Sequence, residues 1–221
     1  MAEKYKHIIW DWNGTILDDV DLCVDVANNL FVTKNVSPLT VEKYKSIFTI
    51  PVKDYYVAAG FDFSKESFEV VGKEWMDEYE SRKYECNLHS DLIETMEKFQ
   101  SVGIKQSILS AYKQELLDEM ARKLDVKKYV ENVVGLDNIY AAGKLHLGQK
   151  LMNTLGYNKG ETLMIGDTVH DYEVSLEIGA DCALISAGHQ NYDKLSETGA
   201  PVYNSLSELI NKIFKNEMEN N

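Results

Sequence analysis

A short apolar segment near the start of the chain ends abruptly in polar residues. The segment His7-Ile8-Ile9-Trp10 is too short for a helix, and Asp11, Gly14 and Thr15 follow it. This pattern predicts a buried strand that opens into a loop. In a parallel sheet, chemistry occurs beyond the carboxyl ends of the strands, so Asp11 is a candidate nucleophile or metal ligand. Gly14 permits a tight backbone path, and Thr15 offers a hydroxyl to a phosphate oxygen.

The segment from about Asp18 to Cys86 has the pattern of several helices and of no clear strand. Apolar residues recur at spacings of three and four from Val20 to Phe31, which is typical of an amphipathic helix. Pro51 separates shorter helical stretches, and Ser64 is a candidate N-cap for a longer final helix. We therefore expect an all-helical module inserted after the first strand.

From Leu88 onward, predicted strands alternate with predicted helices. This alternation indicates βαβ units and a parallel sheet that is covered on both faces. The expected fold class is α/β, with a doubly wound, Rossmann-like core and an inserted helical cap. The expected domains are residues 1–17 and 87–221 for the core and 18–86 for the cap. The predicted strands are Ile104–Leu109, Tyr129–Val134, Glu161–Ile165, Ala183–Ile185 and Pro201–Tyr203.

The composition narrows the classes of partner. The chain carries 23 Lys and Arg against 36 Asp and Glu, a net charge of −13, which argues against nucleic acids and anionic membranes. Cys23, Cys86 and Cys182 form no CxxC arrangement, as in proteins of a reducing compartment. Neither a signal peptide nor a membrane-spanning segment is evident. We therefore expect a cytoplasmic protein, a monomer or weak homodimer, that acts on a small metabolite.

Polar residues follow several of the predicted strands. Asp11, Ser110 and Asp167 each come at a strand end, and Lys144 begins the helix after another strand. Because parallel strands of one sheet end at the same edge, we expect these residues to share a crevice. Asp171 follows Asp167 by one helical turn and belongs to the same cluster.

These residue types suit phosphoryl transfer. Asp11, Asp167 and Asp171 would repel one another unless a divalent cation lay between them, and an oxygen-only ligand set favours Mg²⁺. Ser110 can donate a hydrogen bond to a phosphoryl oxygen. Lys144 can neutralise charge on both the nucleophile and the phosphoryl group. Together they form a set for in-line phosphoryl transfer to a carboxylate.

Four motifs resemble those of the haloacid dehalogenase superfamily, in order and spacing, over nearly the whole chain. They are Asp11-Trp12-Asn13-Gly14-Thr15, then Ser110, then Lys144, then the segment from Gly166 to Asp171. The helical insert resembles the cap of the branch that includes phosphoglycolate phosphatase and β-phosphoglucomutase.

That resemblance implies a Mg²⁺-dependent phosphatase that forms an aspartyl-phosphate on Asp11. The ion would be held by Asp11, the Asn13 backbone carbonyl and Asp167, with Asp171 binding directly or through water. The substrate would contact Thr15, Ser110, Ala111, Lys144 and, in one alternative, Lys53.

Asn13 departs from the family's phosphatases, which usually carry a second Asp at this place. An amide cannot transfer a proton at neutral pH, and acid–base help is typically worth about 10²–10⁴-fold. The enzyme is therefore slow, or has a substrate with a good leaving group, or takes its proton from His170, Asp18 or Asp19. A further alternative is a catalytically weak phospho-ligand binder or regulator.

Cleavage of a P–C bond, as in phosphonoacetaldehyde hydrolase, would require a cap lysine. Lys53 is one residue away from the expected place, and an exposed lysine at a helix start is the favoured interpretation. His7, His89, His146 and His189 show no ligand spacing and are expected to be ordinary surface or strand-flank residues. Asp18 and Asp19 are expected at a hinge or helix start.

Overall fold

The first strand is the centre of the sheet. The computed structural model describes residues 4–137 and 143–218. Strand β1 (His7–Trp10) pairs in parallel with β4 (Lys105–Lys113) on one side and with β6 (Thr162–Gly166) on the other. The outer strands are β5 (Asn132–Leu136), β7 (Asp181–Ile185) and β8 (Val202–Tyr203). The strand order is β5-β4-β1-β6-β7-β8, so the direction of winding reverses beside β1.

A helical segment follows β1. The chain leaves the sheet through β2 (Leu17–Asp18) and returns through β3 (Asn87–Leu88), and these two short strands pair antiparallel. Between them lie α1 (Val20–Thr33), α2 (Val41–Ile47), α3 (Val52–Ala58) and α4 (Phe68–Arg82). The antiparallel ribbon brings both ends of the helical segment close to the carboxyl end of β1.

The remaining helices cover both faces of the sheet, as the alternation of residues in β1 requires. Ile8 and Trp10 pack in one apolar cluster, whereas Ile9 packs in a second. These helices are α5 (Leu92–Ser101), α6 (Gln114–Lys123), α7 (Leu145–Leu155), α8 (Val169–Ile178), α9 (Tyr192–Ser196) and α10 (Leu206–Met218). Residues of α5 and α10 belong to the first cluster, and residues of α7 and α8 belong to the second. The α/β fold class is therefore confirmed.

Several element boundaries were wrong. The N-cap of α4 is Ser67, which accepts from the Val70 amide, whereas the Ser64 amide donates to Asp62. Strand β5 begins at Asn132, because the residues before it form a short 3₁₀ turn. Ser110 lies within β4, which runs on to Lys113 through a register shift. These differences arise from turn geometry, which the apolar periodicity does not encode.

No helix in the described part of the chain combines the length and the apolar character needed to cross a membrane.

His7 is fully buried in β1, and the prediction that it is an ordinary surface or strand-flank residue was wrong. Its Nε2 lies 2.8 Å from the Ser107 hydroxyl on the adjacent strand. Burial lowers the pKa of His7 to about 4. The ring is therefore a neutral hydrogen-bonding group of the sheet at neutral pH.

We expect His7 to make folding stability pH-dependent. Because its pKa falls from 6.5 to about 4 on folding, the unfolded chain takes up the proton first. The stability that neutral His7 supports is present above pH 6.5 and is lost as the pH falls toward 4. His7→Gln keeps a partner for Ser107 and does not titrate. The wild type should lose more unfolding free energy than this variant between neutral and acidic pH, measured by urea denaturation.

The control is His146→Gln, which changes an exposed histidine on α7. It should follow the wild-type curve. A constant difference between the wild type and His7→Gln at every pH would contradict the assignment.

Candidate active site

The carboxyl end of β1 opens onto a cavity between the sheet and the helical segment. The cavity has a volume of about 190 Å³. Asp11 follows β1 directly, and its amide donates to the Ile165 carbonyl of β6 at 2.9 Å. Asp11, Ser110, Ala111 and Lys144 all line the cavity, so the structure brings these predicted site residues together.

Lys144 is the buried cation of the site. Its Nζ pairs with Asp11 Oδ1, lies 2.6 Å from Asp171 Oδ1, and donates to the Leu109 carbonyl at 3.1 Å. Only 2% of the Lys144 side chain is exposed. Lys144 is the N-cap residue of α7, and its ammonium, which cannot accept from the helix amides, donates to the carboxylates instead. The ion pair connects the strand that carries Asp11 to the helix that carries Asp171.

The charges of this cluster shift one another's pKa values. Burial alone would lower the pKa of Lys144, but Asp11 and Asp171 outweigh it and hold the pKa above its ordinary value. Burial raises the pKa of Asp11, and Asp171 and Asp167 add to that rise against the effect of Lys144. Lys144 therefore compensates only part of the negative charge that Asp11, Asp167 and Asp171 carry when they are ionised.

Asp171 is held rigidly by the start of α8. Its Oδ2 accepts from the Thr168 hydroxyl at 2.6 Å, the Thr168 amide at 2.9 Å and the Asp167 amide at 3.1 Å. The Thr168 hydroxyl in turn accepts from the Asp171 amide, which completes a capping box. These bonds and Lys144 hold the pKa of Asp171 below its ordinary value despite burial. Asp171 thus fixes both the loop after β6 and the ammonium of Lys144.

Thr15 does not line the cavity. Its side chain is fully buried, and its hydroxyl donates to Asp167 Oδ1 at 2.9 Å. The other oxygen of Asp167 accepts from the His189 amide at 2.6 Å. The only hydroxyl proton of Thr15 is thus donated to an adjacent carboxylate, and its contact with a phosphate stays a prediction.

Gly14 is required by close packing. Its φ is +72°, and a Cβ there would collide with the side chains of Asp167 and His189. The loop can therefore pass directly beneath the Asp167 carboxylate, as its glycine predicted.

Three carboxylates form a set that fits a divalent cation. Oxygen atoms of Asp11, Asp167 and Asp171 lie within 4.8 Å of one another, and all three residues are buried. The donors are oxygens alone, and the excess negative charge is the kind that Mg²⁺ offsets in proteins. The residues that the sequence nominated for magnesium therefore fit that ion.

The side chain of Asn13 is oriented by the helical segment. Its Nδ2 donates to Asp19 Oδ2 at 2.7 Å and to the Tyr79 hydroxyl at 3.0 Å. Tyr79 in turn donates to Asp19 Oδ2 at 2.8 Å, and the Gly14 amide donates to Asp19 Oδ1 at 2.9 Å. Because these two acceptors engage the hydrogens of the side-chain amide, the side-chain carbonyl oxygen of Asn13 remains free to accept a hydrogen bond.

Asp19 is buried, although it begins α1 as predicted. It caps no helix amide through its side chain and joins the site network instead. Burial would raise the pKa of Asp19, but His189 outweighs burial and holds that pKa below its ordinary value. The hydrogen bonds from Asn13 and Tyr79 lower it further.

His189 is a site residue that the sequence reasoning missed. It lies in the loop after β7, is 4% exposed, and contacts Asp19 Oδ1 through Nε2 at 3.3 Å. Its Nδ1 lies 2.8 Å from the Tyr44 hydroxyl of α2. Burial opposes protonation, but Asp19 outweighs it and raises the pKa of His189 to about 9. The surface assignment was wrong; a usable signal was its place in a loop after a strand of the same sheet.

Two of the three other nominated residues lie apart from this cluster. Lys53 is exposed on α3, with its Nζ 5.6 Å from the centre of the Phe63 ring, and does not line the cavity. Asp18 is exposed on β2. His170 does line the cavity, at the start of α8.

Two sequence comparisons match most of the chain to known proteins. A sequence profile of the haloacid dehalogenase-like hydrolase family matches residues 8–185. A relative named "Putative pyrophosphatase PpaX", from Caldanaerobacter subterraneus subsp. tengcongensis, is 24% identical over 182 residues, covering 76% of each chain.

Solved structures share the fold over almost the whole chain. A haloacid dehalogenase-like family hydrolase from Streptococcus pneumoniae superposes with a TM-score of 0.81 at 16% identity, covering 96% of this chain and 99% of that one. A "putative phosphoglycolate phosphatase" from Lactobacillus delbrueckii subsp. bulgaricus gives a TM-score of 0.73 at 17% identity, covering 95% and 98%. At such identities the likeness concerns the fold alone. Since the profile match spans all four motifs, the chain belongs to the haloacid dehalogenase-like hydrolase family.

Proposed function

We propose that the protein is a Mg²⁺-dependent phosphatase that hydrolyses a small phosphorylated metabolite through an aspartyl-phosphate on Asp11. The observation that carries this proposal is the position of Asp11 at the cavity. One of its oxygens pairs with the buried ammonium of Lys144, and its side chain remains 13% exposed. A carboxylate that is fixed, charge-compensated and accessible suits nucleophilic attack.

The chemistry has two steps. In the first, an Asp11 oxygen attacks phosphorus, the bond to the leaving oxygen breaks, and that oxygen departs with its electron pair. In the second, water attacks the phosphorus of the aspartyl-phosphate, which restores the carboxylate and releases phosphate. Lys144 would neutralise charge on the phosphoryl oxygens in both steps, and Ser110 would donate a hydrogen bond to one of them.

Asp11, Asp167 and Asp171 would hold the ion, together with the backbone carbonyl of Asn13. When bound, Mg²⁺ would offset the repulsion between the carboxylates and the phosphoryl group. Asp171 already uses one oxygen in the capping box and the other on Lys144, so we propose that it acts on the ion chiefly through water. Mg²⁺ commonly keeps several waters, which agrees with this role.

Asn13 limits proton transfer. The hydrogens of its side-chain amide are engaged by Asp19 and Tyr79. Its side-chain carbonyl oxygen can therefore accept a hydrogen bond from a water but can give no proton. This arrangement favours a leaving group that departs without protonation. It also favours a second candidate function, a phospho-ligand-binding protein with little turnover. The phosphonate-cleaving alternative has no comparable support, because Lys53 does not line the cavity.

We also propose that residues 18–86 form the cap and that residues 1–17 and 87–221 form the catalytic core. The antiparallel pairing of β2 with β3 supports this division, because it joins the ends of the helical segment. The helical segment also supplies one wall of the cavity, as a cap that selects the leaving group should.

Replacing the nucleophile should abolish turnover. We expect Asp11→Asn to lower kcat on an aryl phosphate by at least about 10³-fold, because an amide cannot form the acyl phosphate. Steady-state release of phosphate measures this loss. The matched control Asp18→Asn removes an exposed carboxylate from β2 and should retain wild-type kcat. Substantial turnover by Asp11→Asn would exclude Asp11 as the nucleophile.

Restoring an acid should help poor leaving groups most. We expect Asn13→Asp to raise kcat/KM for an alkyl phosphate by about 10²-fold and to raise that for an aryl phosphate much less. Asn13→Ala removes the amide without supplying an acid and should give no gain. If Asn13→Asp is no faster on the alkyl phosphate, proton transfer at this position does not limit the reaction.

Magnesium should stabilise the folded protein. At a concentration about 100 times its Kd, the ion should add about 2.7 kcal/mol to the unfolding free energy, seen as a rise in Tm. Asp167→Asn should lose most of that rise, whereas Asp193→Asn, at an exposed position on α9, should keep it. Equal Mg²⁺-induced shifts in all three proteins would rule out Asp167 as a ligand. EDTA should also abolish phosphate release by the wild type.

A further inference from the structure

The cavity has a polar floor and an apolar wall. The floor consists of Asp11, Ser110 and Lys144 from the sheet side. The wall comes from α2, α3, α4 and the loop between α2 and α3. Its half-buried apolar side chains are Phe48, Ile50, Val52, Phe68, Trp75 and Met76. A substrate whose phosphoryl group lies on the floor must therefore direct its leaving group toward this wall.

The wall offers no cation to a charged leaving group. Among the described lining residues, the helical segment contributes one ionised side chain, Asp19, which is bonded to Asn13 and Tyr79 and pairs with His189 at 3.3 Å. The lysines that line the cavity lie on the sheet side and already have carboxylate partners, Asp11 and Asp171 for Lys144 and Glu115 for Lys113. Lys45 does not line the cavity, since its ammonium donates to the carbonyls of Ser186 at 2.7 Å and Ala187 at 3.1 Å. Lys53 lies against Phe63, away from the lining.

This distribution of charge selects against leaving groups that carry a further carboxylate or phosphate. A leaving group with a carboxylate or a second phosphate would lose its hydration and meet apolar atoms, with no unpaired cation in the described lining to replace the water. Burying an unpaired charge is strongly unfavourable. Substrates shaped like phosphoglycolate or pyrophosphate therefore fit this wall poorly.

The cavity has room for an aromatic ring, and its wall offers an aromatic face. The cavity volume of about 190 Å³ exceeds that of an engineered apolar cavity of about 150 Å³ that binds benzene. Trp75 stacks on Tyr79 with ring centres 5.0 Å apart and an interplanar angle of 14°. Such a pair holds the indole in place as a rigid face for another ring.

We propose that the substrate is a phosphate monoester of an uncharged aromatic alcohol, with its ring against the wall and its phosphoryl group at Asp11. This assignment rests on the proposed phosphatase function. The bond between phosphorus and the aryl oxygen breaks, and the aryloxide leaves with the electron pair. An aryloxide is stable enough to leave first and take its proton from water afterwards, which matches the inability of Asn13 to supply one.

Binding of unreactive phosphonates tests this assignment independently of turnover. Benzylphosphonate, 3-phosphonopropionate and ethylphosphonate replace the bridging oxygen of phenyl phosphate, phosphoglycolate and methyl phosphate with carbon. In titration calorimetry with Mg²⁺, we expect benzylphosphonate to bind at least about tenfold more tightly than ethylphosphonate. We expect 3-phosphonopropionate to bind no more tightly than ethylphosphonate.

A lysine placed on the wall should reverse the preference. Met76→Lys should tighten 3-phosphonopropionate by at least about tenfold and weaken benzylphosphonate. The matched control Val70→Lys adds the same charge to α4 at a residue that is 46% exposed and outside the lining, and should keep the wild-type ranking.

The wild-type ranking decides the assignment even if Met76→Lys does not fold. Equal or tighter binding of 3-phosphonopropionate overturns the aromatic substrate and leaves the phosphatase proposal standing. If no phosphonate binds at all, there is no phosphoryl site, and both proposals fail.

Discussion

The buried ion pair of Lys144 with Asp11 and Asp171 is the interaction on which the site depends. It joins the central strand to α7 and α8, and breaking a buried pair leaves an uncompensated charge that costs several kcal/mol. The capping box of α8 fixes Asp171, so the ammonium has a defined position next to Asp11. The same residues that stabilise this end of the sheet therefore orient the proposed nucleophile.

The helical segment does more than cover the site. Tyr44 of α2 and Tyr79 of α4 reach the loops of the sheet through His189 and Asp19, and Asp19 orients Asn13. Removal of the helical segment would thus change the site's polar groups as well as its exposure. Asn13 and the apolar wall agree with one another, because Asn13 favours a leaving group that departs without protonation and the wall favours one that carries no further charged group.

Local sequence signals predicted most of the fold and the core of the site. The apolar run before Asp11 defines a buried strand, and strand ends in a parallel sheet converge, so Asp167 and Lys144 could be placed beside it. The loop position of His189 was a signal of this kind, but its pairing with Asp19 and the other partners of Asp19 could not be found this way. They depend on contacts between segments far apart in the chain, and a single buried histidine carries no periodic signal. The hydrogen bond from the Thr15 hydroxyl to Asp167 likewise depends on a contact that forms only in the folded chain.

The central claim is that Asp11 itself carries the phosphoryl group during turnover. Acid quenching of the enzyme during hydrolysis of an aryl phosphate, followed by peptide mass spectrometry, tests this claim most directly. The account predicts a phosphoryl adduct on the Asp11 side chain that forms and decays at rates compatible with kcat. An adduct on another residue, or full turnover with no adduct on Asp11 at any quench time, would contradict it.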